Sequence, residues 1–241
     1  PWSLGLQEMT DVTVEVFIEG ADTPSDTATR RTGIRQVSFD QWQLAVNGER
    51  MFLKGANLGP TRMQIAEATP EELRRDVELA KDAGLDMLRV HAHITRPEFY
   101  EAADELGMLV WQDLPLQWGY ARSVRRQAVQ QAREAVDLLG HHPSVAVWCG
   151  HNEPFSLDME PGTPMSFGAL AARYIAGQQL PSWNRSVLDR WIKRSLERND
   201  DSRPVIAHSG VLPHIPQFDG TDSHLYFGWY HGNERVIPRL A

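Results

Sequence analysis

The stretch Val145-Ala146-Val147-Trp148-Cys149-Gly150-His151-Asn152-Glu153-Pro154 is an apolar run that ends abruptly in an amide, a carboxylate and a proline. An apolar run of this length is typical of a buried parallel β-strand. The residue order places Glu153 at the carboxyl end of that strand, where α/β barrels carry their catalytic side chains. Glu153 is therefore the first candidate for a catalytic residue.

Short apolar runs alternate with helical patterns from Met51 onward. Thr69-Pro70-Glu71-Glu72 predicts a helix start, because threonine caps helices, proline suits the first position and acidic residues favour the first turn. This helix is predicted to reach Asp82 and to stop at Gly84. The run MFLKGANLG at 51–59 is the first predicted strand of this series, and further strands are predicted at 86–92, 108–114, 144–153, 204–208 and 222–227. Further helices are predicted at 97–106, 123–139 and 183–198.

Repeated βα units predict an α/β fold with a parallel sheet. A closed (β/α)8 barrel needs eight strands, whereas we count six candidates, so the sequence predicts a TIM-type barrel that is incomplete at its C-terminus. Residues 155–180 contain Pro, Gly and Ser and are predicted to be an insertion that shapes access to the catalytic side. An incomplete barrel exposes two sheet edges, so self-association into a homo-oligomer is one way to cover them.

The first 39 residues have a different pattern. Residues 10–19 alternate apolar with polar side chains, and residues 33–39 do so again, which predicts that these two segments form an antiparallel pair at the end of a β-sandwich. A third alternation at 43–46 leads through Asn47-Gly48, a strong hairpin signal, into 50–55. We expect residues 1–39 to be the end of a sandwich domain and residues 40–241 to be the barrel domain.

Composition limits the partners. The chain has 241 residues and a formal net charge of −8, which disfavours a nucleic-acid surface and suits a neutral or cationic small substrate. No apolar run is long enough to span a bilayer, so no membrane partner is expected. The single cysteine, Cys149, is expected to be a packed thiol. The chain begins at Pro1 instead of a methionine, so we expect a piece of a longer protein. We expect that protein to be soluble, and its compartment stays open with the cytoplasm slightly favoured.

Four blocks carry a family resemblance. They are NGERMFLKGAN at 47–57, LRVHAH at 88–93, FYEAADELGMLVWQDLP at 99–115 and VWCGHNEP at 147–154. In this order the chain resembles the catalytic barrel of glycoside hydrolase family 2, which includes β-mannosidases, β-glucuronidases and β-galactosidases, and residues 1–39 resemble the end of its immunoglobulin-like sandwich. The sequences Trp111-Gln112-Asp113 and Val147-Trp148-Cys149-Gly150 most resemble the β-mannosidase branch, although LRVHAHITRP lacks that branch's usual glycine-rich sequence.

The resemblance implies a retaining exo-β-glycosidase that needs no cofactor and acts on a carbohydrate β-glycoside through two glutamates about 5–5.5 Å apart. It implies that Glu153 is the acid/base, which must be protonated when the substrate arrives. Asn152 is implied to bind the sugar 2-hydroxyl, and Arg89 to orient the nucleophile. The nucleophile is expected beyond this chain, because Glu234 lies in a charged loop and reads as a surface residue.

Three candidate residues also have structural interpretations. Glu153 could cap the next segment or form a buried ion pair with Arg89, although the surrounding blocks favour catalysis for Glu153. Asp113 ends a strand and could bind a sugar hydroxyl, or it could be a turn residue before Leu114-Pro115.

Aromatic and histidine side chains complete the candidate site. Trp111, Trp148 and Trp229 suit stacking on a pyranose ring, and each is also a normal core residue. His224 and Tyr226 resemble strand-six positions where this family places residues near the nucleophile.

Two rival functions belong to other classes. His91, His93 and His208 superficially suggest a metal-dependent amidohydrolase barrel, but the histidine pair follows the second strand and strand four has no lysine, so these residues are expected to line the cleft or to be structural, with no metal. The other rival is a carbohydrate-binding fragment without turnover. A glutamate at the end of a seventh strand in the parent protein would favour the hydrolase.

Overall fold

The computed structural model describes residues 1–40, 42–154, 168–169, 172–173, 176–177, 180–211 and 222–224. Its central element is a parallel sheet of five strands that lie side by side in sequence order. The strands are β6 (Gly55–Leu58), β7 (Met87–Val90), β8 (Leu109–Asp113), β9 (Val145–Cys149) and β10 (Val205–Ile206). This order is that of successive βα units in a partial α/β barrel.

Helices connect these strands. They are α1 (Pro70–Asp82), α2 (Pro97–Leu106), α3 (Arg125–Leu139) and α4 (Asp189–Asn199), the last preceded by a π-helical segment at Trp183–Leu188. The predicted start of α1 is confirmed: Thr69 and Glu72 form a reciprocal capping box. Gly107 ends α2 with φ +67°, a left-handed conformation that glycine adopts without cost.

The two faces of the sheet enter different cores. Leu88, Val90 and Val110 point outward and pack with the helices. Met87, Leu109 and Val147 point inward and pack against side chains from the N-terminal segment, namely Trp2, Val37, Leu44 and Val46. Because strand residues alternate between faces, this register decides which side chains at the strand ends reach the interior of the barrel.

The predicted pairing of 10–19 with 33–39 is wrong. β1 (Thr10–Val16) pairs antiparallel with β2 (Asp26–Thr32), whereas β3 (Val37–Asp40) pairs with β4 (Gln43–Val46) and β4 with β5 (Glu49–Met51). The sequence of β2, DTATRRT, is polar and carries no alternating apolar pattern that would predict a strand. Both strands of the β1–β2 hairpin are solvent-exposed along almost all of their length, so backbone pairing forms β2 without an apolar stripe.

The β3–β5 sheet spans 37–51, so the expected domain boundary at 39/40 falls inside β3. Within 50–55, the strand β5 ends at Met51 and the barrel sheet begins only at Gly55. Residues 222–224 lie outside any strand, and the rest of the predicted sixth strand is outside the described residues, as is most of the 155–180 insertion.

Candidate active site

The candidate site lies where β7, β8 and β9 end. Asn152 bridges in parallel to Gln117 on one side and to Ser209 on the other, so the chain beyond β9 continues the sheet by one more residue. The backbone N–H of Glu153 donates to the carbonyl of Ser209 at 2.9 Å. These bonds hold the Asn152-Glu153 pair between the loops that follow β8 and β10.

Arg89 is the centre of a buried polar cluster. Its guanidinium donates to the Asp113 carboxylate, with the shortest bond at 2.8 Å, to Asn152 Oδ1 at 2.7 Å and to His224 Nε2 at 3.0 Å. Burial alone would lower the pKa of Arg89, but the neighbouring Asp113 carboxylate outweighs that effect and the net pKa is raised. Arg89 is therefore a fixed cation whose donors set the orientation of Asn152 and His224.

The bond from Arg89 also fixes the tautomer of His224. A guanidinium can only donate, so Nε2 of His224 must accept, and the proton of the neutral ring is on Nδ1. Nδ1 lies 3.0 Å from Glu153 Oε1, so it donates to that carboxylate oxygen. Sequence reasoning singled out His224 as a residue near the site, and the structure brings it together with Glu153 and Arg89.

Trp118 is a site residue that sequence reasoning missed. It lies in the loop after β8, and its indole Nε1 donates to Glu153 Oε2 at 3.3 Å. Its backbone has φ +64°, and Glu153 itself has φ +48°. Non-glycine residues in this region are strained, and such strain gathers at functional sites. The available signal was an aromatic residue beside glycine in Gln117-Trp118-Gly119, close after a barrel strand.

Ser209 and Gly210 were also missed. Ser209 Oγ lies 2.9 Å from His224 Nε2, and Gly210 has φ +84°. A Cβ added to Gly210 would lie 2.6 Å from His224 Nδ1 and 2.8 Å from Glu153 Cγ. Only glycine fits both the backbone conformation and this close approach. The Ser-Gly pair after a predicted strand was the signal in the sequence.

A second buried cluster supports the same segment from behind. Asp189, at the start of α4, lies 2.7 Å from His151 Nδ1 and 2.9 Å from His208 Nδ1. His151 and Asp189 are completely buried, and His151 immediately precedes Asn152. This cluster ties the ends of β9 and β10 to α4. His208 thus has a structural partner.

Three other predicted site residues, Asp113, Trp111 and Trp148, differ in their burial and in their contacts. Asp113 is fully buried, and its carboxylate also accepts from Trp111 Nε1 at 3.0 Å and from the Ala92 backbone at 3.1 Å. The Arg89 guanidinium lies over the Trp111 ring, with Cζ 5.6 Å from the centroid of that ring. Trp148 is fully buried in the helix-facing core, and its Nε1 donates to Asp200 at 2.9 Å. No face of Trp148 is open to a sugar, so its predicted stacking role does not fit its position.

The described part of the chain holds no group of three or more His, Cys, Asp or Glu side chains arranged to bind a metal ion. Burial lowers the pKa of His91 and of His93, and His93 Nδ1 lies 2.9 Å from the His91 carbonyl. Cys149 is a buried free thiol, as predicted, and burial raises its pKa. Tyr226, Trp229 and Glu234 lie outside the described residues.

Several known proteins are similar to this chain in sequence or in fold. No protein-family model matches the chain. It is 31% identical over 190 residues to the β-mannosidase of Rattus norvegicus, covering 74% of this chain and 20% of that protein. It is 26% identical over 260 residues to β-mannosidase A of Aspergillus niger, covering 95% of this chain and 27% of that protein. The chain therefore spans about a fifth to a quarter of the length of these relatives.

Solved structures show the same architecture. The β-D-mannosidase of Dictyoglomus thermophilum matches 93% of this chain with a TM-score of 0.73 at 22% identity, covering 28% of its own chain. The β-glucuronidase of Parabacteroides merdae matches 99% of this chain with a TM-score of 0.70 at 20% identity, covering 29% of its own chain. Among the described residues, no helix is long and apolar enough to cross a membrane.

Proposed function

Since the chain belongs to glycoside hydrolase family 2 and is β-mannosidase-like, we propose that it carries the acid/base half of a retaining exo-β-glycosidase that acts on terminal β-mannosides. The observation that carries this proposal is the position of Glu153. Its side chain extends from the end of β9 and is held by His224 and Trp118 beside the buried cation of Arg89.

Glu153 acts first as the acid. Both carboxyl oxygens accept an N–H, but the bond from His224 to Oε1, at 3.0 Å, is shorter than the bond from Trp118 to Oε2, at 3.3 Å. We therefore assign the transferable proton to Oε2, from which it passes to the glycosidic oxygen as the bond to the sugar breaks. The same carboxylate then removes a proton from the water that releases the sugar from the enzyme. The two hydrogen-bond donors keep the carboxyl group in one orientation through both steps.

Asn152 binds the sugar, and Arg89 holds Asn152 in the required orientation. Because Arg89 Nη2 donates to Asn152 Oδ1, the other end of the amide, Nδ2, is the donor available for a sugar hydroxyl. We assign Nδ2 to the 2-hydroxyl, where a hydrogen bond strengthens as the oxocarbenium-like transition state forms. Arg89 also supplies positive charge near the place where the nucleophile would be ionised.

We propose that the remaining parts of the enzyme lie outside this chain. We assign the nucleophile to a glutamate at the end of a seventh strand, and residues 1–39 to the last strands of an immunoglobulin-like sandwich. The barrel in residues 40–241 is then incomplete and inactive alone. Sugar contacts by Trp111, Tyr226 and Trp229 stay predictions, and the catalytic scheme calls on no cofactor.

One alternative concerns the sugar. A putative β-glucuronidase of Formosa agariphila is 31% identical over 142 residues, which cover 57% of this chain. A glucuronide carries a carboxylate at C6, so it would need a cationic contact that a mannoside does not. A metal-dependent amidohydrolase and a binding fragment without turnover remain the other outcomes of the test.

The test uses the full-length protein that contains this chain. It is assayed on nitrophenyl β-mannoside, β-glucuronide, β-galactoside and β-glucoside, with and without a chelator, beside its Glu153→Gln variant. Glu98→Gln is the matched control, because Glu98 is also a glutamate with a polar partner, Arg96, but lies on α2.

We expect chelator-insensitive cleavage of the mannoside, a loss of at least 10²-fold in Glu153→Gln, and normal activity in Glu98→Gln. Full activity of Glu153→Gln, or loss of activity with the chelator, contradicts the acid/base assignment. Preference for the glucuronide would keep the mechanism and change the substrate. Binding of mannosides without turnover in the full-length protein would favour the non-catalytic function.

A further inference from the structure

Trp118 is an exposed aromatic residue held rigidly beside the proposed acid/base. More than half of its surface, 58%, is exposed to solvent. Its backbone N–H donates to the Asn152 carbonyl at 3.0 Å, and its indole N–H reaches Glu153 Oε2. Exposure alone would not set this residue apart, but an indole that is fixed beside the acid/base and open to solvent is available to contact a ligand.

The loop around Trp118 is tied down at several points. Gln117 bridges to Asn152, and its backbone N–H donates to the Tyr120 hydroxyl at 3.3 Å. The Tyr120 backbone in turn donates to Asn184 Oδ1 at 2.9 Å. These bonds hold the left-handed backbone of Trp118 in place, so the indole is preorganised instead of being a mobile surface group.

The position relative to Glu153 decides what the indole can touch. An acid/base gives its proton to the glycosidic oxygen, the atom that joins the hydrolysed sugar to its leaving group. Oε2 is the oxygen that carries this proton, and Trp118 contacts Oε2. A side chain on that oxygen therefore lies at the junction with the leaving group, away from the sugar 2-hydroxyl that Asn152 binds.

We propose that Trp118 is a specificity-determining residue that binds the leaving group and selects those with a ring. This inference rests on the proposed glycosidase function. The indole face packs on the apolar face of a pyranose or aryl ring, and its N–H holds the Glu153 carboxyl group at the same time. A leaving group without a ring gains only the second effect.

Two variants of the full-length protein separate these effects. Trp118→Phe keeps an aromatic face and removes the N–H donor, whereas Trp118→Ala removes both. Trp191→Ala is the matched control, because Trp191 is 45% exposed on α4 and packs on Arg125. Each protein is assayed on three β-mannosides with the same sugar: a β-1,4-linked mannobiose, the phenyl mannoside and the trifluoroethyl mannoside, whose leaving group has no ring.

We expect Trp118→Ala to lower kcat/KM about tenfold more for the two ring-bearing substrates than for the trifluoroethyl mannoside, as lost aromatic packing predicts. Trp118→Phe should keep most of the preference for rings but move the basic limb of the pH–rate profile upward, because the lost N–H favoured the carboxylate. Trp191→Ala should leave all three rates unchanged. A loss confined to the mannobiose or to the phenyl mannoside would identify which ring is bound, and either supports the proposal.

Equal losses on all three substrates, or no loss, would overturn the role in leaving-group selection while the wild-type protein still cleaves mannosides. Failure of the proposed function has a different signature, because the wild-type protein would then cleave none of the three or would keep its activity in Glu153→Gln.

Discussion

Gly210 tests how closely the catalytic groups are packed. Its φ is +84°, and an added Cβ would lie 2.6 Å from His224 Nδ1, 2.7 Å from His224 Cε1 and 2.8 Å from Glu153 Cγ. Gly210→Ala therefore places a methyl group against the hydrogen bond between His224 and Glu153. Gly20→Ala is the matched control, because Gly20 has φ +82° and nothing lies within 4 Å of the same added atom.

The magnitude follows from these distances. Both variants put an L-residue in the left-handed region, which costs about 1–2 kcal/mol of stability in each. Only Gly210→Ala adds crowding. Ordinary contact begins at 3.4 Å, so the catalytic groups must move by roughly 0.6–0.8 Å, and a displacement of about 1 Å costs on the order of 10²-fold in rate.

The assay compares kcat/KM of the two variants in the full-length protein on aryl β-mannosides with good and poor leaving groups, with thermal midpoints measured beside them. The midpoint of Gly210→Ala should be the lower one, because crowding adds about 1–3 kcal/mol to the conformational cost that both variants share. A rate loss of about 10²-fold is expected in Gly210→Ala alone. The loss should be larger for poor leaving groups, which depend more on the acid. Wild-type rates in a folded Gly210→Ala protein would refute the packing of Glu153 against this loop.

Three further predictions concern the stability of the fold. Arg89→Met leaves the buried Asp113 carboxylate uncompensated and should cost about 3–5 kcal/mol of stability. Adding Asp113→Leu to that variant should restore the thermal midpoint without restoring activity. Equal midpoints of the wild type and Arg89→Met would contradict this prediction. Burial and the adjacent His142 lower the pKa of His141 to about 4, so the unfolded chain binds a proton below about pH 6.5 that the folded chain does not. Stability should therefore fall by about 1 kcal/mol between pH 7 and pH 4, after discounting for the partial exposure of this ring, and His141→Asn should flatten that slope in thermal unfolding. Thr69→Ala removes the cap of α1 and should cost about 1 kcal/mol with unchanged kcat; a change in kcat would link α1 to the site.

The helices and parallel strands were predictable because their signals are local. Thr69 with Pro70 marks the start of α1, Gly107 ends α2, and the apolar run of β9 is long enough to identify a buried strand. Each of these signals acts within a few residues and needs no tertiary partner.

The hairpin was not predictable from apolar patterning. β1 and β2 are exposed, and β2 has no apolar alternation, so the pairing of Thr10–Val16 with Asp26–Thr32 depends on backbone bonds and on contacts such as Thr13 with Thr29. The sequence also suggested Trp148 as a sugar platform. Strand register pairs it with Gln112 and places it on the helix-facing side of the sheet, and counting from Glu153 could not reveal that register.

The site was predictable only in part. Glu153 follows a buried barrel strand and could be named from that pattern, whereas Asn152, Arg89 and His224 were named from the family resemblance. Trp118 and Gly210 lie in loops, and their importance comes from positive φ angles and from close approaches to Glu153, which for Trp118 is 35 positions away. Such contacts exist only in the folded chain, so a single sequence does not show them.

The most direct test of the central claim is chemical rescue of Glu153→Ala in the full-length protein. With dinitrophenyl β-mannoside the leaving group needs no acid, so the first step proceeds and the sugar–enzyme intermediate waits for a base that is missing. Added azide needs no base and should restore turnover with release of β-mannosyl azide, which retains the configuration of the substrate. Restored rates with this product support Glu153 as the acid/base, whereas wild-type turnover without azide, or α-mannosyl azide as the product, would contradict it.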